Sequence, residues 1–343
     1  MNEMKAVYVE DAYKVVVKEV EVPELKDNEV LIKVKVAGIC GSDIHTYKGL
    51  HPFRKPPVII GHEVSGEITE VGKAVTRFKV GDRVTAEPQV GCGSCDYCLS
   101  GNVNLCESRT APGIGGWYGT MAEYFATPEQ TVFKLPDAMS YEDGVLVEPL
   151  AVGVHAVRKG NIGIGDKVAV LGAGPIGLLA MTAANAAGAT TTLVTDVLDY
   201  ALEGAQKLGA SHTLNINGNS EWINEAKELV GGEFDVVLVA IGIPGIIDQA
   251  ISLLRKGGRI VTIAMFNGDQ TFNIHNLQNQ EKELVGCMTY NREDTLTAID
   301  LISAGTVKTD AIVSHRLSYD EADYGFKIVE KKEDSSLKVL VTF

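Results

Sequence analysis

Over residues 1–147 the hydrophobic positions come in short runs that are rich in β-branched residues and alternate with polar positions. Glycine, proline, asparagine and aspartate separate the runs, as they commonly do between strands. Typical runs read KAVYV, EVLIKVKVAGI, EVSGEITEVG and GDRVTAEP. The pattern predicts a β-rich domain, built as a small barrel or a distorted sandwich.

From residue 148 onward, nearly continuous apolar strands alternate with helical segments, for example in DKVAVLGAGPIGLLAMTAANAAGATTTLVTD. Such an alternation predicts a parallel sheet that is covered by helices on both faces. We therefore expect an α/β fold with a doubly wound domain over residues 148–289, whose last strand covers 282–288. Residues 290–343 are short for a separate domain, and we expect them to return to the first domain.

The chain has 343 residues, of which 45% are hydrophobic, and a formal net charge of −14. The length suits two domains with sizeable cores. Because an acidic surface repels a phosphate backbone, we expect no nucleic-acid partner. The N-terminus lacks the apolar segment of a signal peptide.

The stretch Val168–Thr195 contains no charged residue and is long enough to span a bilayer. Its glycines and its proline instead suit a strand, a turn, a helix and a second strand, so we expect no membrane partner. These features predict a cytoplasmic protein, in which cysteines stay reduced and clusters of cysteines bind metals.

Four of the six cysteines lie in the stretch GCGSCDYCLSGNVNLC, as Cys92, Cys95, Cys98 and Cys106. Four thiolates complete a tetrahedral zinc shell, and a shell closed by protein ligands is the structural kind. A disulfide or a redox CxxC pair is the alternative, but a redox pair needs two cysteines and accompanies a βαβ unit. The spacing therefore predicts a structural zinc ion.

A second set of possible metal ligands is spread along the chain, as Cys40, His62, Glu63 and Glu148. A thiolate, an imidazole and one or two carboxylates provide three or four ligands. If three of them bind at once, one position stays open for water or substrate, as in catalytic zinc sites. Taken singly, a buried cysteine or a helix-capping glutamate explains each residue equally well.

The segment GAGPIG follows a predicted strand and begins a predicted helix, and it comprises Gly172, Ala173, Gly174, Pro175, Ile176 and Gly177. Asp196 ends the next strand about 20 residues further on, which completes the dinucleotide-binding pattern. Backbone N–H groups at the helix start would bind the pyrophosphate. The charge of Asp196 favours NAD over NADP, and a packing turn without a ligand is the alternative.

In this order and spacing, GICGSDIH, GHEVSGEITEVG, GDRV, the four-cysteine stretch, EPLAVGVHA and GAGPIG resemble the zinc-dependent medium-chain dehydrogenase/reductase family. The glutamate in EPL resembles the sorbitol (polyol) dehydrogenase branch. The resemblance implies a GroES-like catalytic domain, a Rossmann domain and two zinc ions per chain. It also implies that Cys40 and His62 bind the catalytic zinc directly, with Glu63 and Glu148 as direct or water-mediated ligands.

The same resemblance implies a dehydrogenase that passes hydride from a secondary alcohol to NAD, with zinc as the Lewis acid. Ser42 and His45 would then carry the alcohol proton to solvent, and Asp43 would hold the imidazole of His62 in its metal-binding tautomer. A turn residue and a surface histidine are the alternatives for Ser42 and His45.

The substrate stays open, because an arginine that contacts polyols in the sorbitol-type enzymes is replaced here by Cys287 in the segment GCMTYN. Polyols, vicinal diols, sugar acids and sugar phosphates all fit the resemblance. L-Threonine 3-dehydrogenase and a non-enzymatic NAD-binding scaffold are the rival interpretations. Relatives in this branch are often tetramers, so we expect a homotetramer.

Overall fold

A computed structural model describes residues 3–266 and 268–343. The described chain forms two compact units. The first consists of the residues up to Glu148 together with Val313–Phe343, and the second is Pro149–Ile312. The boundary between Glu148 and Pro149 falls within one helix, Tyr141–Gly160.

Along the described residues the strands are β1 (Glu3–Asp11), β2 (Lys14–Glu21), β3 (Glu29–Ile39), β4 (Val58–Ile59), β5 (Glu63–Val71), β6 (Arg83–Ala86), β7 (Tyr124–Pro128), β8 (Val132–Lys134), β9 (Lys167–Leu171), β10 (Thr191–Asp196), β11 (His212–Asn215), β12 (Phe234–Val239), β13 (Leu254–Thr262), β14 (Glu283–Gly286), β15 (Val313–Ser318) and β16 (Lys338–Thr342). The α-helices are α1 (Gly41–Tyr47), α2 (Asp96–Leu99), α3 (Tyr141–Gly160), α4 (Pro175–Ala187), α5 (Asp199–Lys207), α6 (Trp222–Val230), α7 (Ile246–Leu253), α8 (His275–Gln278), α9 (Arg292–Ser303) and α10 (Ala322–Lys331).

The first unit is β-rich, as its short alternating runs predict. A seven-stranded sheet has the order β15-β16-β3-β5-β6-β8, with β7 paired to β3, and a three-stranded sheet has the order β2-β1-β4. Strand β3 is central, because it pairs antiparallel with β5, β7 and β16. Its inward side chains pack with Phe125, Ile68 and Phe326 in one core.

The second unit is a parallel sheet of six strands in the order β11-β10-β9-β12-β13-β14, with helices between successive strands. This is the order of a Rossmann fold. Its central strands, β9 and β12, are almost entirely buried, and the side chains of Phe234, Trp222 and Leu253 lie in its core. The predicted fold class, a β-rich domain joined to a doubly wound parallel sheet, is confirmed.

The second unit extends further along the chain than the predicted limit at residue 289. Helix α9 belongs to it, and the chain returns to the first unit at Val313. The physical reason is an ion-paired contact with α3: Asp294 accepts hydrogen bonds from His155 at 2.7 Å and from Arg158 at 2.6 Å. Side-chain contacts between residues so distant in sequence leave no periodic pattern in the chain.

Strand β13 also begins earlier than its apolar run, because the segment RKGG continues the extended backbone from Leu254. The pairing with β12 shifts register there, between Phe234 and Val236. The uncharged stretch Val168–Thr195 forms β9, α4 and β10, as predicted. Among the described residues, every helix is too short or too polar to cross a bilayer.

Candidate metal centres and nucleotide site

The four clustered cysteines lie in a loop whose ends are joined by a β-bridge between Val90 and Thr110. The sulfur atoms of Cys92, Cys95, Cys98 and Cys106 all lie within 4.8 Å of one another. Glycine is required at position 91, because a Cβ there would lie 2.5 Å from the Cys98 sulfur. The loop is therefore shaped so that the four thiols face a common point.

Hydrogen bonds from the backbone already favour negative charge on this loop. The backbone N–H and hydroxyl of Ser94, together with the N–H of Cys95, lower the pKa of Cys92 to about 6. The N–H of Gly93 acts in the same sense on Cys98, but burial and the neighbouring thiols outweigh it and raise the pKa of Cys98 to about 12. Four thiols so close cannot all ionise alone, and a divalent cation would satisfy them.

The second cluster is assembled by strand pairing in the first unit. Cys40 follows β3 and precedes α1, and His62 immediately precedes β5. The antiparallel register places Gly38 of β3 opposite Glu63 of β5, so the ends of the two strands meet. Ligand atoms of Cys40, His62 and Glu63 all lie within 4.8 Å of one another.

Asp43 holds Cys40 and His62 in place through hydrogen bonds. It is fully buried, and one carboxylate oxygen accepts a hydrogen bond from the Cys40 N–H at 3.0 Å. The other oxygen lies 3.2 Å from Nδ1 of His62 and 3.1 Å from a guanidinium nitrogen of Arg54. With Nδ1 of the imidazole directed at Asp43, Nε2 is the nitrogen left for a metal.

The charges of this group are mutually dependent. Burial raises the pKa of Asp43, but the charge and hydrogen bond of His62, together with Arg54, outweigh burial and hold this pKa below its usual value. Burial lowers the pKa of His62, but the charges of Asp43 and Cys40 raise it well above the usual value. Asp43 and His62 therefore stabilise each other's charged forms.

Glu63 is held by a lysine from the far end of the chain. Lys338, in β16, forms an ion pair with Glu63, and both side chains are buried, with 1% and 0% of their surface exposed. Burial lowers the pKa of Lys338, but the charges of Glu63, Cys40 and Glu148 raise it overall. The lysine is therefore a buried cation among the acidic groups of the cluster.

The structure places the other candidate residues in different positions. Ser42 and His45 lie on α1, half-buried, beside the cluster. Glu148 is buried at the end of the first unit, but it is not part of the group of ligand atoms within 4.8 Å that the described residues form. The structure thus brings together three of the four candidate ligands.

Aromatic residues near these motifs belong to the core. Tyr47 is buried against Phe326, with ring centroids 5.6 Å apart. Trp117 stacks on Phe125 at 6.0 Å and donates its indole N–H to the carbonyl of Ala126 at 2.9 Å. Packing against neighbouring aromatic rings therefore explains the positions of Tyr47 and Trp117.

Three buried residues beside the cluster, Arg54, Lys338 and His51, were not singled out as site residues from the sequence. His51 is buried, and its Nδ1 accepts hydrogen bonds from the backbone N–H groups of Phe53 and Arg54. Burial, together with the charge of Arg54, lowers the pKa of His51 to about 4. The sequence gives one signal, since Arg54 and His51 lie in the loop between α1 and β4, shortly before His62.

The glycine-rich segment connects β9 to α4. Gly172 has a φ of +104°, which favours glycine, and Gly177 approaches the carbonyl of Gly172 so closely that a Cβ would overlap it. Gly174 caps α4, and Pro175 occupies its first turn, where a missing N–H is tolerated. Ile176 continues that turn. A Cβ on Gly174 would meet no atom within 4 Å, so the N-terminus of α4 has space beside it for an anion.

Asp196 ends β10 beside this segment. One carboxylate oxygen accepts a hydrogen bond from the N–H of Ala173 at 2.7 Å, and the other accepts from the N–H groups of Val197 and Leu198 at 2.7 and 3.1 Å. The carboxylate is half-buried, so part of it stays accessible. The acidic residue and the glycine-rich turn are therefore joined directly.

Two known protein families match parts of the chain. Residues 26–137 match the alcohol dehydrogenase GroES-like domain, and residues 175–304 match the zinc-binding dehydrogenase family. Sorbitol dehydrogenase 2 of Saccharomyces cerevisiae is 37% identical over 331 residues, which cover 94% of this chain and 93% of that protein.

Solved structures show the same fold over the whole chain. The 2R,3R-butanediol dehydrogenase from Bacillus subtilis has a TM-score of 0.91 and 34% identity, covering 99% of each chain. A protein from Sinorhizobium meliloti 1021, solved with NADP bound, has a TM-score of 0.92 and 32% identity, covering 100% of each chain. The chain therefore belongs to the zinc-binding dehydrogenase family, in its sorbitol dehydrogenase-like branch, and is an alcohol-oxidising enzyme.

Proposed function

We propose that this enzyme oxidises a secondary alcohol of a polyol, a vicinal diol or a sugar derivative, with NAD as the hydride acceptor. The observation that carries the proposal is the convergence of Cys40, His62 and Glu63 within 4.8 Å. The names of the yeast sorbitol dehydrogenase and the Bacillus butanediol dehydrogenase support the substrate class.

The donor set fits a catalytic zinc ion. Cys40 and His62 provide sulfur and nitrogen, which zinc prefers, and Glu63 provides oxygen. Oε2 of Glu63 is buried without a hydrogen-bond donor, although the ion pair with Lys338 reaches it. Glu148 is the further carboxylate of the proposed site, bound directly or through water. The loop with Cys92, Cys95, Cys98 and Cys106 fits a second, structural zinc ion.

Bound zinc would supply Lewis acidity that makes an alcohol easier to deprotonate, and NAD would accept the hydride. The residues of the chain supply positioning and proton transfer. Asp43 orients His62 through Nδ1, and α1 carries Ser42 and His45 on one short helix. We propose that the hydroxyl of Ser42 accepts the alcohol proton as it gives its own proton to the ribose of the nicotinamide, and that His45 receives a proton from that ribose and releases it to solvent.

Asp196 supports NAD rather than NADP as the cofactor. Its carboxylate would accept hydrogen bonds from ribose hydroxyls and would repel a 2′-phosphate. The Sinorhizobium protein binds NADP, so this preference depends on the residues of each chain. Kinetics with both dinucleotides test it: we expect kcat/KM to be at least about 10-fold higher with NAD, which equals about 1.4 kcal/mol. Equal values would refute the assignment of Asp196.

We also propose a homotetramer in the cytoplasm. Leu99, on the cysteine loop, is 72% exposed, and Tyr97 and Leu105 on the same loop are exposed as well. Exposed apolar residues on one loop favour contact with another subunit. Thiolate ligands require a reducing compartment, which supports the cytoplasm. Light scattering on purified protein tests the oligomeric state.

The decisive experiment measures zinc content and activity together. We expect two zinc ions per chain by mass spectrometry and NAD reduction with some member of a panel of polyols, diols, sugar acids and sugar phosphates. Activity on L-threonine alone would instead support a threonine dehydrogenase. One zinc per chain with no activity on any alcohol would contradict the proposal.

The variant Cys40→Ser separates the two zinc sites, and Cys287→Ser is its matched control, since Cys287 belongs to neither cysteine cluster. We expect one zinc per chain in Cys40→Ser and two in Cys287→Ser. Loss of zinc in both variants would show that the loss is not specific to the proposed site.

A further inference from the structure

Lys338 is a charged side chain that the protein buries completely beside the proposed catalytic metal site. Its Nζ forms the ion pair with Glu63 and donates a hydrogen bond to the carbonyl of Ile39 at 3.2 Å. Ile39 immediately precedes Cys40, so the ammonium group contacts the backbone that carries one proposed ligand and the side chain of another.

The strand register creates this arrangement. Gly38 of β3 pairs with Glu63 of β5 on one side and with Leu340 of β16 on the other. A Cβ on Gly38 would overlap Oε2 of Glu63 and lie 3.1 Å from Cε of Lys338. The absence of a side chain at Gly38 therefore provides the space in which the ion pair lies.

The role of Lys338 follows from its charge and from the charge of its partner, Glu63. Burying a lysine is unfavourable unless it is paired, and here the partner is a carboxylate that can also bind a metal. A zinc ion at Cys40 and His62 would attract the same carboxylate, and two cations cannot share it fully. Lys338 and the metal therefore compete for Glu63.

We propose that Lys338 is a positioning residue that keeps Glu63 as an exchangeable ligand of the catalytic zinc, so that one coordination position stays available to the alcohol. The inference rests on the proposed function, because it assumes a metal at Cys40 and His62. A purely structural ion pair is the competing explanation. It predicts that removal of the lysine lowers stability and leaves the metal coordination as it was.

The test compares Lys338→Met, Glu63→Gln, the double variant and Lys338→Arg in the full-length protein. Zinc affinity is measured by competition with a chromophoric chelator, and coordination by the visible spectrum of cobalt-substituted protein, which depends on ligand number and geometry. The four-cysteine loop contributes equally in every variant, so its spectrum cancels in the differences.

In Lys338→Met, Glu63 is released to the metal. We expect zinc to bind at least about 10-fold more tightly and the cobalt spectrum to change. We expect kcat to fall about 10-fold with a smaller change in KM, because the open position becomes occupied. The double variant should return the affinity and the spectrum to those of Glu63→Gln, and Lys338→Arg should preserve the wild-type spectrum.

Glu63→Gln keeps the inference testable if Lys338→Met does not fold. We expect Glu63→Gln to change the zinc affinity less than about 3-fold, since an exchangeable ligand contributes little to binding; a loss of 100-fold would mean a permanent ligand and would overturn the inference. An unchanged cobalt spectrum in a folded Lys338→Met would overturn it as well. A wild-type protein that binds a single zinc, in the cysteine loop, would instead refute the proposed function.

Discussion

The two cysteine-containing clusters of the first unit are built in opposite ways. The loop from Cys92 to Cys106 is short, largely exposed and supported by backbone N–H groups that point at sulfur. The cluster at Cys40 unites residues from distant segments and is surrounded by the buried charges of Asp43, Arg54 and Lys338. The loop brings four thiols together without a charged partner for them, whereas the second cluster is also held by its own ion pairs.

This difference indicates what each cluster can do. Four thiols that face one point leave no ligand position free, so a metal there can only stabilise. In the cluster at Cys40 the proposed ligand Glu63 is already paired with a protein cation. Under our proposal a metal bound there can exchange this ligand and so keep a position open for substrate, as catalytic zinc sites do.

The largest expected effect is a loss of activity when the cluster at Cys40 is changed. Cys40→Ser should lower kcat/KM by about 10³-fold, because Lewis acidity contributes several kcal/mol to the transition state. The unfolding temperature should change by no more than about 3 °C, since the charged residues around the cluster remain. Steady-state kinetics and calorimetry measure both, and an active Cys40→Ser variant would remove the contrast between the clusters.

The next largest effect is a loss of stability when the four-cysteine loop is changed. Cys98→Ser should release the zinc of the loop and lower the apparent unfolding temperature by about 5–10 °C, because bound zinc contributes folding energy. At low temperature the folded variant should keep activity within about 10-fold of the wild type. Ser94→Ala, in the same loop, is the matched control and should keep both zinc ions. If Cys98→Ser were as inactive as Cys40→Ser, the two clusters would not have separate roles.

A smaller effect tests the space beside Glu63. In Gly38→Ala the added methyl group would displace the carboxylate, and we expect kcat to fall about 10-fold while the zinc affinity changes less than about 3-fold, as in Glu63→Gln. Gly163→Ala is the control, because a Cβ there meets no atom within 4 Å. Normal kinetics in Gly38→Ala would show that the position of Glu63 has no bearing on catalysis.

The smallest effect concerns Arg54, whose guanidinium lies 3.1 Å from Asp43 and 3.3 Å from Nδ1 of His62. Arg54→Met removes one hydrogen bond from a buried carboxylate, and we expect zinc affinity at the catalytic site to fall about 3- to 10-fold. Lys55→Met serves as the control, because Lys55 is exposed and adjacent in sequence. Chelator competition measures the difference, and equal affinities in the two variants would exclude a supporting role for Arg54.

Much of this fold was predictable from the sequence, because its signals are local. The spacing of four cysteines indicated the loop, and the glycine pattern between two apolar strands indicated the nucleotide site. The proposed catalytic ligands needed the family resemblance, since Cys40 and Glu148 are far apart in the chain. Lys338 could not be predicted, because its segment LKVLVTF reads as an ordinary strand and its burial depends on the pairing of β16 with β3.

The extent of the second unit was not predicted for a similar reason. Helix α9 has the amphipathic pattern of many surface helices, and nothing in that pattern indicates which unit it joins. The contact of Asp294 with His155 and Arg158 decides the matter, and it links residues more than 100 positions apart. Polar contacts over such distances become visible when the chain is folded.

The hydrogen bonds of Asp196 have a practical consequence for redesigning cofactor preference. The carboxylate is preorganised: it anchors the N–H groups of Ala173, Val197 and Leu198 before any nucleotide arrives. Replacing it with a small neutral residue to admit a 2′-phosphate would also loosen the turn that we propose binds the pyrophosphate. Under the proposed NAD preference, an engineered switch toward NADP therefore needs a substitute acceptor for these three amides as well as a new cation.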